Sequence, residues 1–224
     1  MTGSIWLITY DVAAGDEARY LDWFHDVHIP EKLARPGYNW AAHYEVISPD
    51  GQVASLQGGD ARETRGFLAI FGADDSRVFL NPSPAQIKPN QPPLTREMMG
   101  CRVGSQSLIA AAEWRVERDD GIAPSYTFID LSVCDVGEAD EDYGAWCVQT
   151  FLPYARTLDG FDVATKMLST TQSPKHIMIA SFASLEEIQN YRSQVPDDDW
   201  SKRVRGYQMH ACGSPAMGRY ISPV

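Results

Sequence analysis

Residues 20–44 read YLDWFHDVHIPEKLARPGYNWAAHY, and residues 143–167 read YGAWCVQTFLPYARTLDGFDVATKM. Laid over each other without a gap, the two stretches share more identities than the roughly one or two that average residue usage gives. Most of the shared types are Tyr, Trp, Pro or Gly, which have specific packing or backbone roles. The identical pairs are Tyr20 and Tyr143, Trp23 and Trp146, Pro30 and Pro153, Gly37 and Gly160, and Ala41 and Ala164. This pattern predicts an internal duplication.

Both halves carry the same predicted series of elements. Alternating or β-branched runs predict strands at 5–12, 38–45, 66–71 and 106–116, then at 125–133, 161–169, 176–182 and 217–221. Periodic apolar faces predict helices from Asp16 to Pro36 with a break at Pro30, and at 74–80, 139–157 and 184–194. The order βαββαβ, written twice, gives an α+β protein with repeats at 1–117 and 125–224 and a linker at 118–124.

The composition excludes several classes of partner. The 224 residues carry 30 acidic and 19 basic side chains, a net charge of -11, which disfavours nucleic acid and anionic membrane surfaces. The apolar runs are too short to span a bilayer, and the N-terminus has no basic region typical of a signal peptide. Four cysteines without a Cys-x-x-Cys pair indicate reduced thiols, so a cytoplasmic location is expected.

The first half also carries a recognisable motif. The run WFHDVHIPE (residues 23–31), followed by Pro36-Gly37-Tyr38 and His43-Tyr44, resembles the EthD-like branch of the dimeric α/β-barrel superfamily. The resemblance implies ferredoxin-like repeats packed sheet to sheet, here within one chain. It fixes no activity, because the superfamily includes cofactor-free monooxygenases, cyclases, isomerases, dehalogenases, haem enzymes and binding proteins. A cavity between sheet and helices is the natural site for a small hydrophobic ligand.

The two halves differ at three histidines. In the alignment of the two halves, each histidine of the first half is paired with another residue type in the second: His25 aligns with Val148, His28 with Phe151, and His43 with Lys166. A polar group kept in one copy only is typical of a site, so the first half is predicted to carry the site and the second to have lost it.

His28 is the first catalytic candidate. It lies near the end of the first predicted helix, where the helix dipole raises an imidazole pKa, while burial against Phe24 and Trp23 lowers it. Opposed effects would leave a group near neutrality, which suits a general acid or base. The resemblance also places the family's motif histidine here. The alternative is a histidine that caps a last-turn carbonyl.

Further candidates surround it. His43 and Tyr44 on the second strand are predicted to hydrogen-bond a developing oxyanion, although His43 could equally face solvated polar neighbours. Substrate-binding roles are predicted for His25, Trp23, Tyr10, Trp40 and Arg219. Structural roles are the alternative for each: packing for the aromatic residues, a surface position for His25 and Arg219.

No metal or cofactor is expected. His25 and His28 would need a third ligand, with His43, Asp26 or Glu31 available, and no tight metal-binding spacing is present. If the protein bound haem, as some members of the superfamily do, His176 or His210 would be the axial candidates. No dinucleotide loop, phosphate loop or nucleophile elbow occurs.

Two segments of unusual composition remain. Residues 81–94 hold five prolines, which predicts a stiff extended loop that covers the first-half pocket or forms an oligomer contact. Residues 197–199 and 202–205 are interpreted as an acidic turn and a short basic patch without function.

The function favoured by these residues is a cofactor-independent enzyme of lyase, isomerase or cyclase type. It would act on a small hydrophobic, aromatic or polyketide-like compound through histidine acid–base catalysis. A cofactor-free monooxygenase and a non-catalytic binding protein are the alternatives. A fused pair of repeats makes a monomer feasible, and a homodimer stays open.

Overall fold

The computed structural model describes residues 3–58, 60–194 and 196–221. Within it the chain forms two compact units. The first comprises the described residues up to Ala111, Ser169–Thr171 and those from Gly218 onward, and the second comprises Ala112–Leu168 and Gln172–Met217. Both combine helices with antiparallel strands, so the predicted α+β class is confirmed. The predicted limits 1–117, 118–124 and 125–224 stay a prediction, as does the sheet-to-sheet packing of two repeats.

The first unit is built on an antiparallel sheet. Its strands are β1 (Ser4–Ala13), β2 (Trp40–Ile47), β3 (Thr64–Ala73) and the part of β4 (Arg102–Glu117) up to Ala111, in the order β4-β1-β3-β2. The register pairs Tyr10 with Phe67 and His43 with Ala69. Because paired residues share a face and side chains alternate along a strand, Tyr10 and His43 lie on the same side of the sheet.

A helical segment interrupted by a π-turn packs on that side. It consists of α1 (Glu17–Trp23), the π-turn Phe24–His28 and α2 (Ile29–Leu33). Pro30 has no N–H to donate and its ring crowds the carbonyl four residues earlier, so the turn before it widens. In the second unit Cys147–Phe151 forms the same turn before Pro153. The helix therefore does not break at Pro30 as predicted but widens into a π-turn just before it and continues into α2, and a proline follows the π-turn in both units.

The core of the first unit lies between this segment and the sheet. Trp6, Ile8 and Tyr10 of β1 are buried against Tyr20 and Phe24 of the helical segment. Gly37 leads from α2 into β2 at a φ of 86°, and a Cβ there would come within 2.7 Å of a Val78 methyl. The position therefore requires glycine.

The second unit repeats the series of elements. Its strands are β5 (Phe128–Asp135), β6 (Val163–Ser169) and β7 (His176–Phe182), paired antiparallel, with β8 (Met209–His210) following later. Of β9 (Ala216–Tyr220), Ala216 and Met217 belong to this unit and the residues from Gly218 onward to the first. Its helices are α5 (Asp140–Trp146) and α6 (Leu152–Ala155) on either side of the π-turn, then α7 (Leu185–Ser193) and α8 (Asp199–Tyr207).

Two expectations about local structure are wrong. The proline-rich segment is helical in part, with α3 (Pro84–Ile87), a 3-10 turn Lys88–Asn90 and α4 (Pro93–Gly100). Pro84 and Pro93 stand at the first helical positions, where a missing N–H costs nothing. Residues 199–207 form α8 rather than a turn and a patch, because the Asp198 carboxylate accepts from the Ser201 N–H and caps the helix.

The described helices were also compared with the length and hydropathy that a bilayer demands. None of them is long and apolar enough to cross one.

Candidate functional site

A chain of hydrogen bonds runs through the first unit, with His43 at its centre. His43 is completely buried on β2. Its Nε2 lies 2.9 Å from the Tyr10 hydroxyl, and its Nδ1 lies 2.9 Å from Nε2 of His25 in the π-turn. His25 is only partly buried, so one end of the chain reaches the surface of the unit. The structure thus brings three predicted site residues together.

The inner end of the chain continues through residues that the sequence analysis did not select. The Tyr10 ring lies edge to face against that of Tyr20 of α1, with 5.6 Å between the ring centres, and each hydroxyl shifts the pKa of the other. The Tyr20 hydroxyl accepts from Nε of Arg102 at 2.7 Å. The Arg102 guanidinium also lies 4.2 Å from the centre of the Tyr10 ring. We call His25, His43, Tyr10, Tyr20 and Arg102 the relay chain.

Arg102 gives the relay chain a direction. A guanidinium only donates hydrogen bonds, so the Tyr20 oxygen accepts one from Nε of Arg102 and the Tyr20 O–H is left to donate toward Tyr10. Tyr10 can then donate to Nε2 of His43, and Nδ1–H of His43 to Nε2 of His25. Every link is satisfied when all donors point outward, toward His25.

Within the relay chain, the Tyr10 and His43 side chains are held neutral. Burial lowers the pKa of His43 well below its ordinary value, and the charges of His25 and Arg102 lower it further. Burial raises the pKa of the Tyr10 hydroxyl well above its ordinary value. Neither group holds a charge at neutral pH, so a proton can pass only if each residue receives one as it gives one away.

His28 lies apart from the relay chain. Its ring packs 4.7 Å from that of Trp23 and 5.3 Å from that of Phe24, and neither ring nitrogen has a hydrogen-bond partner among the described residues. Burial lowers its pKa well below the ordinary value, and Lys32 adds to this. The expected balance near neutrality is wrong, because the helix continues past His28 into α2 and no helix end faces it.

A cavity of about 360 Å³ lies in the first unit beside the relay chain. Trp6 and Ile8 of β1, Lys32 of α2 and Met99 of α4 line it together with Arg102. Arg102 is therefore both the inner end of the relay chain and part of the cavity wall. The proline-rich segment contributes Pro84, Ile87, Lys88 and Gln91 to the lining.

The other predicted site residues lie elsewhere. Tyr44 points to the opposite face of the sheet from His43, with its ring 5.5 Å from that of Tyr220. Arg219 forms a 2.6 Å ion pair with Glu45 and is 41% exposed. Trp40 packs over Gly72, whose Cβ would collide with the indole. Trp23 contacts His28 and Tyr20 in the core.

The second unit has polar pairs of its own at corresponding places. Lys166, which stands where the first half has His43, is buried and forms an ion pair with Glu113. Nε2 of His176 lies 2.8 Å from the Asp140 carboxylate. These four residues line a separate cavity of about 610 Å³ within the second unit.

The described residues do not suit a metal or a haem. They contain no group of three or more His, Cys, Asp or Glu side chains placed to hold a metal ion. A histidine that ligates haem iron does so through a ring nitrogen that is free to bind the metal. Nε2 of His176 is engaged by Asp140 in a cavity lined by charged side chains, and His210 is exposed on β8.

Tyr20, Lys32 and Arg102 were missed by the sequence analysis. Tyr20 is identical in both halves, which indicated a scaffold role. Lys32 stands four residues after His28, a spacing that places both on one side of a helix, and this was an unused signal. Arg102 lies 82 residues from Tyr20, and no local pattern connects them.

No family model and no curated protein matches the sequence. Solved structures do match. An anthrone oxidase-like protein is 10% identical, with a TM-score of 0.64 over 99% of this chain and 92% of its own. A candidate monooxygenase from Fusobacterium nucleatum is 11% identical, with a TM-score of 0.57 over 99% and 94%.

A chlorite dismutase from Candidatus Nitrospira defluvii is also similar, at 14% identity and a TM-score of 0.51 over 99% of this chain and 92% of that one. These three neighbours are proteins of the dimeric α/β-barrel superfamily. At such low identities the likeness concerns the fold alone. The chain therefore shares the fold of dimeric α/β-barrel proteins.

Proposed function

We propose that the first unit is a cofactor-independent enzyme that moves a proton to or from a small hydrophobic or aromatic compound in its cavity. One observation carries the proposal: the relay chain begins at the half-buried His25 and ends at Arg102 in the cavity wall. A line of tyrosine and histidine side chains that leads from a cation in a cavity wall to the surface is suited to general acid–base chemistry.

The proton path follows from the direction of the relay chain. As the substrate gives up a proton to the Tyr20 oxygen beside Arg102, Tyr20 passes its own proton to Tyr10 and Tyr10 passes one to Nε2 of His43. His43 then passes its Nδ1 proton to His25, which releases one to solvent. The electron pair left on the substrate is stabilised by the Arg102 guanidinium. Reprotonation at another atom of the substrate completes an isomerase, lyase or cyclase type of reaction.

The test uses anthrone, an aromatic ketone with an acidic methylene group, as the probe. We expect the protein to accelerate deuterium exchange at that methylene in D2O, measured by NMR. Tyr20→Phe and His43→Gln interrupt the relay chain and should slow the exchange by about 100-fold, the scale of one general acid–base contribution. Tyr143→Phe, the matched position in the second unit, should leave it unchanged.

The outcomes separate the alternatives. Exchange that is equal in wild type, Tyr20→Phe and His43→Gln contradicts the relay. If His28→Gln alone abolishes exchange, the catalytic role belongs to His28, the histidine favoured by the sequence. Binding of anthrone without accelerated exchange would indicate a non-catalytic binding protein.

A cofactor-free monooxygenase is the second candidate, and the anthrone oxidase-like and monooxygenase neighbours favour it. Deprotonation by the same residues would give an electron-rich carbanion that reduces O2. With anthrone, the methylene would become a carbonyl, with one oxygen atom from O2 in the product and the other released as water. Oxygen uptake matched to anthraquinone formation would identify this reaction, and exchange without uptake would exclude it.

We also propose that the chain arose by tandem duplication within the EthD-like branch. Its support is the matching order of strand, helix, π-turn, helix and two strands in both units. Gly37 and Gly160 add to this, because both have positive φ at the same place in the series. Separate expression of residues 125–224 tests whether one repeat folds alone.

A further inference from the structure

The cavity of the first unit has an unusual balance of charge. Lys32, Lys88 and Arg102 line it, and none of the described residues in its lining is an aspartate or glutamate. The chain as a whole carries a net charge of -11. Glu31 acts electrostatically on the Lys32 ammonium but does not line the cavity. Three cations in a lining without an acidic residue, in so acidic a protein, indicate a site for an anion.

Lys32 is the clearest sign of this. It is only 4% exposed, although lysine is almost never buried without a partner. No described carboxylate forms an ion pair with it, and the ammonium lies 5.2 Å from the centre of the Trp6 ring. Burial lowers its pKa to about 8, and the nearby Arg35 contributes. An anion in the cavity would supply the missing counter-charge.

Two further donors lie in the same lining. Nη2 of Arg102 and Nε1 of Trp6 are buried and have no hydrogen-bond partner among the described residues. Nε of Arg102 is already used by Tyr20, so Nη2 is the part of the guanidinium left for a ligand. Buried donors are normally satisfied, and a ligand oxygen would satisfy these.

The rest of the lining combines the polar residues Gln91, Ser105 and Ser107 with apolar ones. Trp6, Ile8, Ile87 and Met99 offer an aromatic face and aliphatic surface. A volume of about 360 Å³ lies at the small end of known ligand pockets, which suits a small fused-ring compound of the size of naphthalene or anthrone.

We propose that this cavity binds a small aromatic monoanion, with its carboxylate or phenolate oxygen between Lys32 and Arg102 and its ring against Trp6. The inference deepens the proposed function and rests on it for the role of the anion as substrate or deprotonated intermediate. Binding itself does not depend on turnover, so it can be tested separately.

The experiment compares 2-naphthoate with 2-naphthamide, which has nearly the same shape and no charge, by isothermal titration calorimetry at pH 7. We expect the wild-type protein to bind naphthoate at least tenfold more tightly than the amide. Lys32→Met keeps the length of the side chain and should abolish that preference. Lys175→Met, at an exposed lysine of the second unit that is paired with Asp140, should retain it.

Equal affinity for the two probes, or binding of neither, overturns the inference. So does a naphthoate affinity unchanged in Lys32→Met. The comparison of the two probes on the wild-type protein decides the matter even if a variant fails to fold. Naphthoate preference together with deuterium exchange unaffected by Tyr20→Phe would refute the proposed function and leave the anion site standing.

Discussion

Lys32→Met should stabilise the protein at neutral pH. Burial lowers the pKa of Lys32 from 10.5 to about 8. One pKa unit corresponds to about 1.36 kcal/mol, so keeping this ammonium charged costs the folded state up to about 3 kcal/mol. Methionine fills the same space without a charge, and it gives up the contact of the cation with Trp6, about 1 kcal/mol. We therefore expect Lys32→Met to raise the free energy of unfolding by about 2 kcal/mol at neutral pH.

The pH dependence identifies the cause. Because the folded pKa of Lys32 lies below the unfolded one, the unfolded chain binds more protons between about pH 8 and 10.5. The wild-type penalty is complete below pH 8 and disappears as the pH rises through that range. The advantage of Lys32→Met should therefore be largest at pH 7 and close to zero at pH 10.5.

Urea unfolding at both pH values, followed by circular dichroism, measures the effect. Lys175→Met serves as the control. The Lys175 side chain is 47% exposed, so losing its ion pair with Asp140 should change the free energy of unfolding by less than about 1 kcal/mol. A variant that is less stable than wild type at pH 7, or equally stabilised at both pH values, would refute the reasoning. A gain in stability with a loss of naphthoate binding would show a side chain retained for function at the expense of stability.

Three further predictions concern the same unit. Naphthoate binding at pH 8.5 should be accompanied by proton uptake, because a bound anion raises the pKa of Lys32. Calorimetry in buffers of different ionisation enthalpy measures this uptake. If no protons are taken up, the anion does not contact Lys32. Burial lowers the pKa of His28 and His43 in the folded state, so below about pH 6.5 the unfolded chain binds more protons and the free energy of unfolding should fall. In His28→Phe, the urea midpoint should fall less over the same pH range. Gly37→Ala should lower the free energy of unfolding by about 1–3 kcal/mol. Gly15→Ala should leave it nearly unchanged, because no atom lies within 4 Å of the added Cβ. Equal urea midpoints for the two variants would contradict this prediction.

The sequence predicted regular elements best where local signals agree. The strand at 176–182 is β7 as predicted, and the helix predicted from Ser184 begins at Leu185 because Ser184 and Glu187 form a capping box. The proline-rich segment was wrongly predicted to be an extended loop, because proline stops a helix only in the helix interior. At the first turn it is compatible with one, and the pattern alone did not separate these positions.

The comparison of the two halves was informative about the candidate site. It singled out His25 and His43, which the structure joins by a hydrogen bond, and it ranked His28 first although His28 lies outside the relay chain. Such a comparison finds positions that differ. It cannot identify Tyr20, because both halves have tyrosine there, or Arg102, because its partners are distant in sequence.

The double engagement of Arg102 has a thermodynamic consequence. One guanidinium holds the Tyr20 oxygen with Nε and faces the cavity with the remainder of the group. Any occupant that draws on Arg102 weakens its hold on Tyr20, and by reciprocity any change of protonation at His25 alters the affinity for that occupant. The imidazole NMR signals of His25 should therefore report cavity occupancy from the opposite end of the chain.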